Sequence, residues 1–520
     1  MRTIRQVRTF LIAVSLGLLL AFVFGPLAAL FGRAVMRPTG PVAALSAFGP
    51  LRQALLLARS LALALCAALG ATAVGTVLGR AVFAQSSRAQ KLFALLMVLP
   101  LLLPPFVVAL AFIMLTDRIG VHWFGFGAAV FVLSLAFAPL AGLVVWAGFV
   151  RIGESSRAAA ELGAGPWRVC TQVELGLIRP YLWTAFGLIG LFSFADYGVP
   201  SLLRVTTYPV VVFSHFAACY DLRGALLSCW PYALLPGLAL AGWSRLFGSR
   251  LFRAAGRPAG QRDSQRARRA RRIWCVMFGC VLFVCAALPI LVLLATAGGP
   301  DAYAAAWRTG RRQLLTSLAL SAGTATLLVL LGGAVAAGIC ASVGWRRVLQ
   351  NYLSLLPAAL PGTVFGIGLI CAWNRPSTAP VYTSPAILVL LYLARFLPFA
   401  ARTLLAGLNR ITRETLDAAR LADASAPRLF RVVLAPLWAP AALVGWSLCF
   451  VLCSRELTGT LLVAPPGMET LAVRIYSLYH YGAGRLVAAL ALLLVLTGFA
   501  AFAGAGLLLR STRRWCVSKT

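Results

Sequence analysis

Long apolar runs separated by short polar segments make up most of the chain. Runs such as 10–30, 314–339 and 486–509 are long enough to cross the hydrocarbon core of a bilayer, about 30 Å thick, as helices. Ten-residue stretches that alternate apolar and polar residues, which are typical of membrane β-barrels, are absent. Because backbone polar groups in lipid must be paired within the chain, the pattern predicts membrane-spanning helices.

Twelve spans are predicted from these runs. They lie near 10–33, 54–83, 92–115, 127–149, 181–203, 225–247, 273–296, 313–341, 351–373, 385–407, 437–459 and 485–509. An arginine-rich stretch at 248–272 separates six spans from six. The pattern therefore predicts an all-α polytopic membrane protein with two halves, 1–247 and 273–520, joined by a cytoplasmic linker.

The orientation follows from the basic residues near the two ends. Arg2, Arg5 and Arg8 precede the first apolar run, which is longer than the core of a signal peptide and lacks a small-x-small cleavage site. We therefore expect it to be a retained span. An even number of spans and a basic C-terminal tail at 510–519 predict that both termini are cytoplasmic.

Composition narrows the function classes. The formal net charge is +34 and 61% of the residues are hydrophobic, so the basic residues are better explained by loops that follow the positive-inside rule than by nucleic-acid binding. The arginine-rich stretch can also attract anionic lipid headgroups. The twelve cysteines form no CxxC pair and lie mostly in apolar runs, which argues against a metal site.

Two polar segments interrupt the apolar pattern at matching places, between the fourth and fifth spans of each half. They cover 157–180 and 417–440, which start 260 residues apart. The motifs LPLLLPP at 99–105 and LPAALPG at 356–362 also match, and Glu456 follows Asp196 by 260 residues. Six spans in each half make this a parallel duplication, with both polar segments in the cytoplasm.

Each polar segment predicts a short helix with a small-residue face that a soluble partner can approach closely. At these positions the chain resembles the permeases of type I ATP-binding-cassette importers. Their cytoplasmic loop begins with EAA, continues with three residues and Gly, and ends nine residues later with I-x-L-P. The first copy departs from this pattern at Arg157 and Gly176, and the second copy at Asp423 and Ala435.

The resemblance implies two coupling loops, 151–180 and 409–440, on which two copies of an ATPase subunit dock. The docking residues that it implies are Arg157, Ala158, Ala159, Gly163, Ala164 and Trp167 in the first loop, and Asp417, Ala418, Ala419, Asp423 and Ala424 in the second. It also implies a periplasmic or lipid-anchored solute-binding protein and a location in the bacterial inner membrane.

The chain lacks the lysine of a phosphate-binding loop. Its only lysines are Lys91 and Lys519, and neither follows the glycine of a GxxxxGK[ST] motif. We therefore expect no cofactor and no catalytic residue in this chain, with ATP and magnesium bound by the partner ATPase subunits.

Two further passages resemble fused ferric-iron-type permeases, namely 194–213 and 455–482. Fused thiamine permeases are similar in layout, so the substrate class stays open between ferric iron, thiamine and another small solute.

Four polar residues inside predicted spans are candidates for the translocation path: Asp196, Tyr197, Arg455 and Glu456. Ionisable residues at such depth usually line a cavity or pair with each other. A structural ion pair or a position at the outer interface are the alternatives. The three histidines, His122, His215 and His480, are better explained as polar residues of outer loops than as metal ligands. Prolines at 100, 104, 105, 357 and 361 predict breaks in the third span of each half.

Two other classes of protein remain as alternatives. A secondary transporter driven by an ion gradient would not need two matched cytoplasmic helices. A membrane-embedded enzyme would need clustered His, Asp or Lys residues at an interface, which this sequence lacks.

Overall fold

The computed structural model of the chain describes residues 2–35, 50–151, 173–217, 229–242, 265–411, 414–415 and 429–517. Within these ranges the chain is helical and forms no strand. The predicted fold class, an all-α polytopic membrane protein, is confirmed.

The first half begins with one long helix that contains a π-helical segment at Leu19–Phe24, where the backbone bonds shift register. Its α-helices are α1 (Arg2–Leu18), α2 (Gly25–Val35), α3 (Pro50–Phe83), α4 (Ser87–Val98), α5 (Pro105–Arg118), α6 (Phe126–Phe149), α7 (Leu175–Ala195), α8 (Gly198–Leu202), α9 (Tyr208–Ala217) and α10 (Cys229–Gly242).

The second half repeats this order, including a π-helical segment at Phe283–Ala287 in its first helix. Its α-helices are α11 (Gln265–Leu282), α12 (Leu288–Ala297), α13 (Pro300–Ala341), α14 (Gly344–Ala359), α15 (Gly362–Trp373), α16 (Ala379–Tyr382), α17 (Ala386–Leu408), α18 (Ala435–Ser454), α19 (Thr458–Val463), α20 (Leu471–His480) and α21 (Gly484–Val517).

The described residues contain nine helices long and apolar enough to cross a membrane, or up to eleven if each of two bent pairs counts as one span. The predicted number is twelve. The difference lies at 225–247, where the described part is the shorter apolar helix α10 and the residues on both sides of it fall outside the described ranges.

The prolines break the third span of each half, as predicted. The chain bends by 77° between α4 and α5, and by 99° between α14 and α15. Pro104 and Pro361 both adopt extended backbone angles immediately before the second helix of each pair. Proline cannot donate the N–H that a continuous helix needs at these positions, so each span ends and restarts there.

The first helix of each half packs against the other half. Helix α1 lies along α13, and the Nε of Arg8 donates to the carbonyl of Ala341 over 2.6 Å. Helix α2 lies along α15, and α11 along α3. Gly338 leaves no room for a Cβ beside Ser15, so the α1–α13 contact depends on small residues, as is common where membrane helices pack closely.

The described residues form three apolar cores, and two of them contain helices from both halves. One core joins α3, α5 and α6 to α12, α20 and α21, and the other joins α2 and α10 to α13, α15, α17 and α18. The halves are therefore interlocked by their packing.

Matched serines fix the outer short helices α9 and α20 to the long helices α3 and α13. The backbone N–H of Tyr208 donates to Ser60 Oγ, and the N–H of Leu471 donates to Ser317 Oγ, both over 2.7 Å and both buried. Ser317 lies 257 positions after Ser60, which relates α3 to α13. The same hydrogen bond therefore holds the same pair of helices in each half.

We expect Ser60→Ala and Ser317→Ala to destabilise the fold by similar amounts. Each change leaves a buried N–H without its acceptor, which costs about 1–3 kcal/mol. Thermal unfolding of the purified protein in detergent measures this. Thr309→Ala, whose exposed hydroxyl bonds only within its own helix, serves as the control and should change the stability by less than about 0.5 kcal/mol. A loss confined to one of the two serines would contradict the equivalence of the two contacts.

A candidate translocation site where the two halves meet

Two carboxylates occupy equivalent breaks between a span and a short helix. Asp196 Oδ1 accepts the N–H of Val199 over 2.8 Å at the start of α8. Glu456 Oε1 accepts the N–H of Gly459 over 2.9 Å at the start of α19. A carboxylate at a helix N-terminus satisfies a free N–H and interacts favourably with the helix dipole. The two acids therefore have the same local role, 260 positions apart.

These positions correct a prediction. The apolar pattern predicts Asp196 and Glu456 inside continuous spans at 181–203 and 437–459, but α7 ends at Ala195 and α18 ends at Ser454. The residues that follow each break are as apolar as the spans, so the hydrophobic pattern does not show where the helix ends. What ends each helix is the turn in which the carboxylate binds the amide three residues further on.

Glu456 also forms a buried ion pair. Its Oε1 contacts Nη1 of Arg395, on α17, and the two side chains are only 6% and 19% exposed. Gly362 is the first residue of α15. A Cβ at this position would collide with the Arg395 guanidinium and lie 3.1 Å from Glu456 Oε1. The ion pair therefore fills the space that this glycine leaves.

Arg455 reaches across to the first half. Its Nη1 donates to the carbonyl of Leu101 over 2.8 Å, in the 3₁₀ segment Leu99–Leu102 at the break between α4 and α5. Both Arg395 and Arg455 lie close enough to Asp196 and Glu456 to interact electrostatically. These four residues are defined here as the charged junction, and their formal charges sum to zero.

The charged junction is not symmetric. The offset of 259 that relates Pro139 to Pro398 matches Arg395 with Ala136, and the offset of 260 matches Arg455 with Ala195. The second half therefore supplies three of the four charges, and the first half supplies Asp196. Asp196 depends on cationic groups that belong to the other half.

Tyr197, the fourth candidate, joins the halves directly. Its hydroxyl lies 3.0 Å from that of Tyr476 on α20, and its ring lies 4.6 Å from that of Phe213 on α9. Tyr197 is 4% exposed. The structure thus brings all four candidate residues to the region where the halves meet.

Three residues of this site were not predicted from the sequence: Arg395, Tyr476 and Tyr232. Tyr232 is fully buried on α10, and its hydroxyl donates to the carbonyl of Phe194 over 3.3 Å. Arg395 carried a usable signal, because an arginine in the apolar run 385–407 is expensive in a membrane unless it has a partner. The two tyrosines carried none, since aromatic residues are common in spans.

The histidines do not form a metal site in the described part of the chain, where no group of three or more His, Cys, Asp or Glu residues could hold an ion. His122 lies 3.3 Å from Asp117, with both side chains well exposed, and His480 is exposed at the end of α20.

The predicted docking residues lie outside the described residues, which stop at Arg151 and at 415 and resume at Val173 and at 429. This applies to Arg157, Ala158, Ala159, Gly163, Ala164 and Trp167, and to Asp417, Ala418, Ala419, Asp423 and Ala424. Their role stays a prediction.

Comparison with known proteins gives relatives over most of the chain. No family model matches. The chain is 25% identical over 442 residues to the Fe(3+)-transport system permease protein FbpB 2 of Haemophilus influenzae, which covers 82% of this chain and 84% of the relative. It is 22% identical over 436 residues to the putative ferric transport system permease protein FbpB 1 of the same organism, covering 75% and 66%. The putative 2-aminoethylphosphonate transport system permease protein PhnV of Salmonella typhimurium is 32% identical over 186 residues, covering 35% and 66%.

We expect Glu456→Gln to destabilise the protein by about 3–5 kcal/mol, because it leaves the buried Arg395 guanidinium without its counter-charge. The double variant Arg395→Gln/Glu456→Gln should lose less than the sum of the two single losses. Unfolding in detergent measures both.

The matched control is Glu469→Gln. Glu469 lies 3.9 Å from Arg474, and both side chains are substantially exposed, at 43% and 33%. Exposed pairs contribute about 0–1 kcal/mol. Equal losses for Glu456→Gln and Glu469→Gln, or single losses that add in the double variant, would show that the Arg395–Glu456 pair is not a stabilising unit.

Proposed function

We propose that the chain is a type I permease of an ATP-binding-cassette importer and forms the membrane pathway of a binding-protein-dependent importer of ferric iron. The observation that carries this proposal is the alignment with a ferric-iron permease over 82% of the chain. That alignment extends across both halves, whereas the alignment with the phosphonate permease covers 35% of the chain. Iron is therefore the best-supported substrate, and another small solute moved by the same machinery is the alternative.

The charged junction supports a pathway between the halves. Charges buried in a membrane protein are costly and persist where they pair with each other or line a cavity. Here Arg395 and Glu456 pair within the second half, Asp196 of the first half interacts electrostatically with Arg395 and Arg455, and Arg455 connects the second half to the broken helix of the first. A change in the relative position of the halves would exchange partners among these four residues. The junction can therefore stabilise more than one arrangement of the pathway.

ATP hydrolysis in this proposal takes place on two separate ATPase subunits, which bind ATP and magnesium. They dock on the cytoplasmic coupling loops 151–180 and 409–440, and their closure moves the spans that follow. A binding protein, periplasmic or lipid-anchored, delivers the substrate at the outer mouth. Both termini lie in the cytoplasm, and the chain resides in the bacterial inner membrane.

The test is uptake of radioactive Fe³⁺ into proteoliposomes that contain this chain with its ATPase subunits. The iron-loaded binding protein is added outside the vesicles. ATP is enclosed inside them, where it drives the complexes whose ATPase subunits face the vesicle interior. We expect uptake that needs both ATP and the binding protein. Uptake of thiamine or 2-aminoethylphosphonate under the same conditions, without iron uptake, would identify that solute as the substrate instead of iron. Transport driven by an ion gradient without ATPase subunits would favour a secondary transporter.

We expect Asp196→Asn and Glu456→Gln to reduce iron uptake by about tenfold each, the change that corresponds to a loss of about 1.4 kcal/mol in the stability of a transition state. ATPase subunits should still bind, because their docking loops lie at the other ends of the spans. Uptake is compared at equal amounts of folded complex, and co-purification measures ATPase binding.

Asp301→Asn is the control, since Asp301 is an exposed acid in the first turn of α13, away from the junction. Its uptake should equal that of the unmodified protein. Normal uptake by the double variant Asp196→Asn/Glu456→Gln would exclude a role of the junction acids in transport.

A further inference from the structure

A second buried ion pair lies where α3 ends and α7 begins, at the opposite end of α7 from the charged junction. Arg80 Nε donates to Glu174 Oε2 over 2.8 Å, and the side chains are 12% and 2% exposed. Arg80 is in the last turn of α3, about 30 Å along the helix from Ser60. Glu174 immediately precedes α7, where the chain leaves the first coupling loop. This pair therefore connects the exit of the loop to a long membrane helix.

Aromatic rings from three helices surround the guanidinium. It lies 5.7 Å from the ring of Phe83, 5.8 Å from that of Phe149 and 5.3 Å from that of Trp274. Phe149 ends α6, and Trp274 belongs to α11, the helix of the second half that packs on α3. Cations within about 6 Å of an aromatic ring are attracted to its face, and low-polarity surroundings strengthen the ion pair. Four helices, α3, α6, α7 and α11, are thus held at one point.

The second half has neither charge at the equivalent positions. The offset of 257 that relates Ser60 to Ser317 matches Arg80 with Ala337, and the offset of 260 matches Glu174 with Leu434. Instead, the ring of Trp438 on α18 packs on Gly333 of α13, where a Cβ would collide with it. Trp438 Nε1 donates to the carbonyl of Leu404 over 3.3 Å. Among the described residues, the corresponding contact is therefore a large ring packed on a helix, without an ion pair.

The two halves share the remaining part of this contact. Gly148, at the end of α6, allows the Tyr181 ring of α7 to approach, and Gly407, at the end of α17, allows Ala441 of α18 to approach. These glycines are equivalent at the offset of 259. The close approach of the span after each loop is thus common to both halves, and the Arg80–Glu174 pair is an addition specific to the first.

We propose that Arg80 and Glu174 are positioning residues that transmit movement of the first coupling loop to α3 and α7, while the second loop acts through Trp438. The proposal rests on the proposed function. Movement of the loop would act on Glu174, and the ion pair would pass it to α3, whose other end holds α9 through Ser60. Because α7 ends at the Asp196 turn, the same movement reaches the charged junction. Unequal contacts predict that the two ATPase sites contribute unequally to transport.

The test uses the complete complex of this chain, its ATPase subunits and the binding protein in proteoliposomes. The main variant is Arg80→Gln/Glu174→Gln, which removes both charges of the pair and keeps similar side-chain volumes. Three quantities are measured: ATPase subunits bound per chain, thermal stability in detergent, and Fe³⁺ taken up per ATP hydrolysed. We expect binding and stability close to those of the unmodified protein. Uptake per ATP should fall by about tenfold, within the roughly 5- to 150-fold range of typical coupling between sites.

Two further variants separate transmission from simple support of the fold. The reversed pair Arg80→Glu/Glu174→Arg should recover part of the uptake per ATP, because an ion pair is restored. The exposed pair variant Glu469→Gln/Arg474→Gln is the control and should behave as the unmodified protein. Unchanged uptake per ATP in the neutral variant would overturn the proposal, and so would a loss of ATPase binding or stability that accounts for the whole effect. If the unmodified complex shows no ATP-dependent uptake, the proposed function fails, which the same assay detects separately.

Discussion

A buried carboxylate has to be neutralised where water is excluded, and Glu456 shows how this requirement shapes the centre of the molecule. Its one side chain caps α19 and pairs with Arg395 in space that Gly362 leaves open. The desolvation of such charges costs several kcal/mol per ion, so the arrangement holds only while its partners stay in place. α15, α17 and the turn after α18 are consequently fixed relative to each other by charge as well as by packing.

Asp196 has the same local geometry, but among the described residues its cationic partners belong to the other half, so its charge is compensated across the molecule. Its electrostatic partners are Arg395 and Arg455, and Arg455 in turn binds Leu101 of the first half. The charged junction therefore couples two halves that already share their first helices. Duplication supplied two equivalent caps and two equivalent serine contacts, and later differences put the arginines on one side. A symmetric fold thus carries an asymmetric set of charges, at the junction and again at Arg80 and Glu174.

Much of this fold follows from local sequence properties, which is why most of the spans, the proline breaks and the equivalence of Asp196 and Glu456 in the two halves could be predicted. What could not be predicted depends on contacts between distant residues. The ends of α7 and α18 are set by a carboxylate that binds an amide, in sequence as apolar as the spans. Arg80 and Glu174 are 94 residues apart, and Arg8 meets Ala341 across 333 residues. No periodicity of hydrophobic positions encodes such pairings, and the exchange of first helices between the halves left no local signal.

In the proposed function, closure of the ATPase subunits on ATP moves the spans, and the two halves must then separate at the mouth where the binding protein delivers the substrate. The most direct measurement is the distance between spin labels, carried by unnatural amino acids at the exposed positions Thr206 and Tyr481, in the complete complex with the binding protein. These positions lie beside the helices that carry the Tyr197–Tyr476 contact. We expect the distance to increase when ATP is bound and to return to its starting value after hydrolysis. An identical distance in both states, in a complex that hydrolyses ATP and imports substrate, would contradict the proposed separation of the halves.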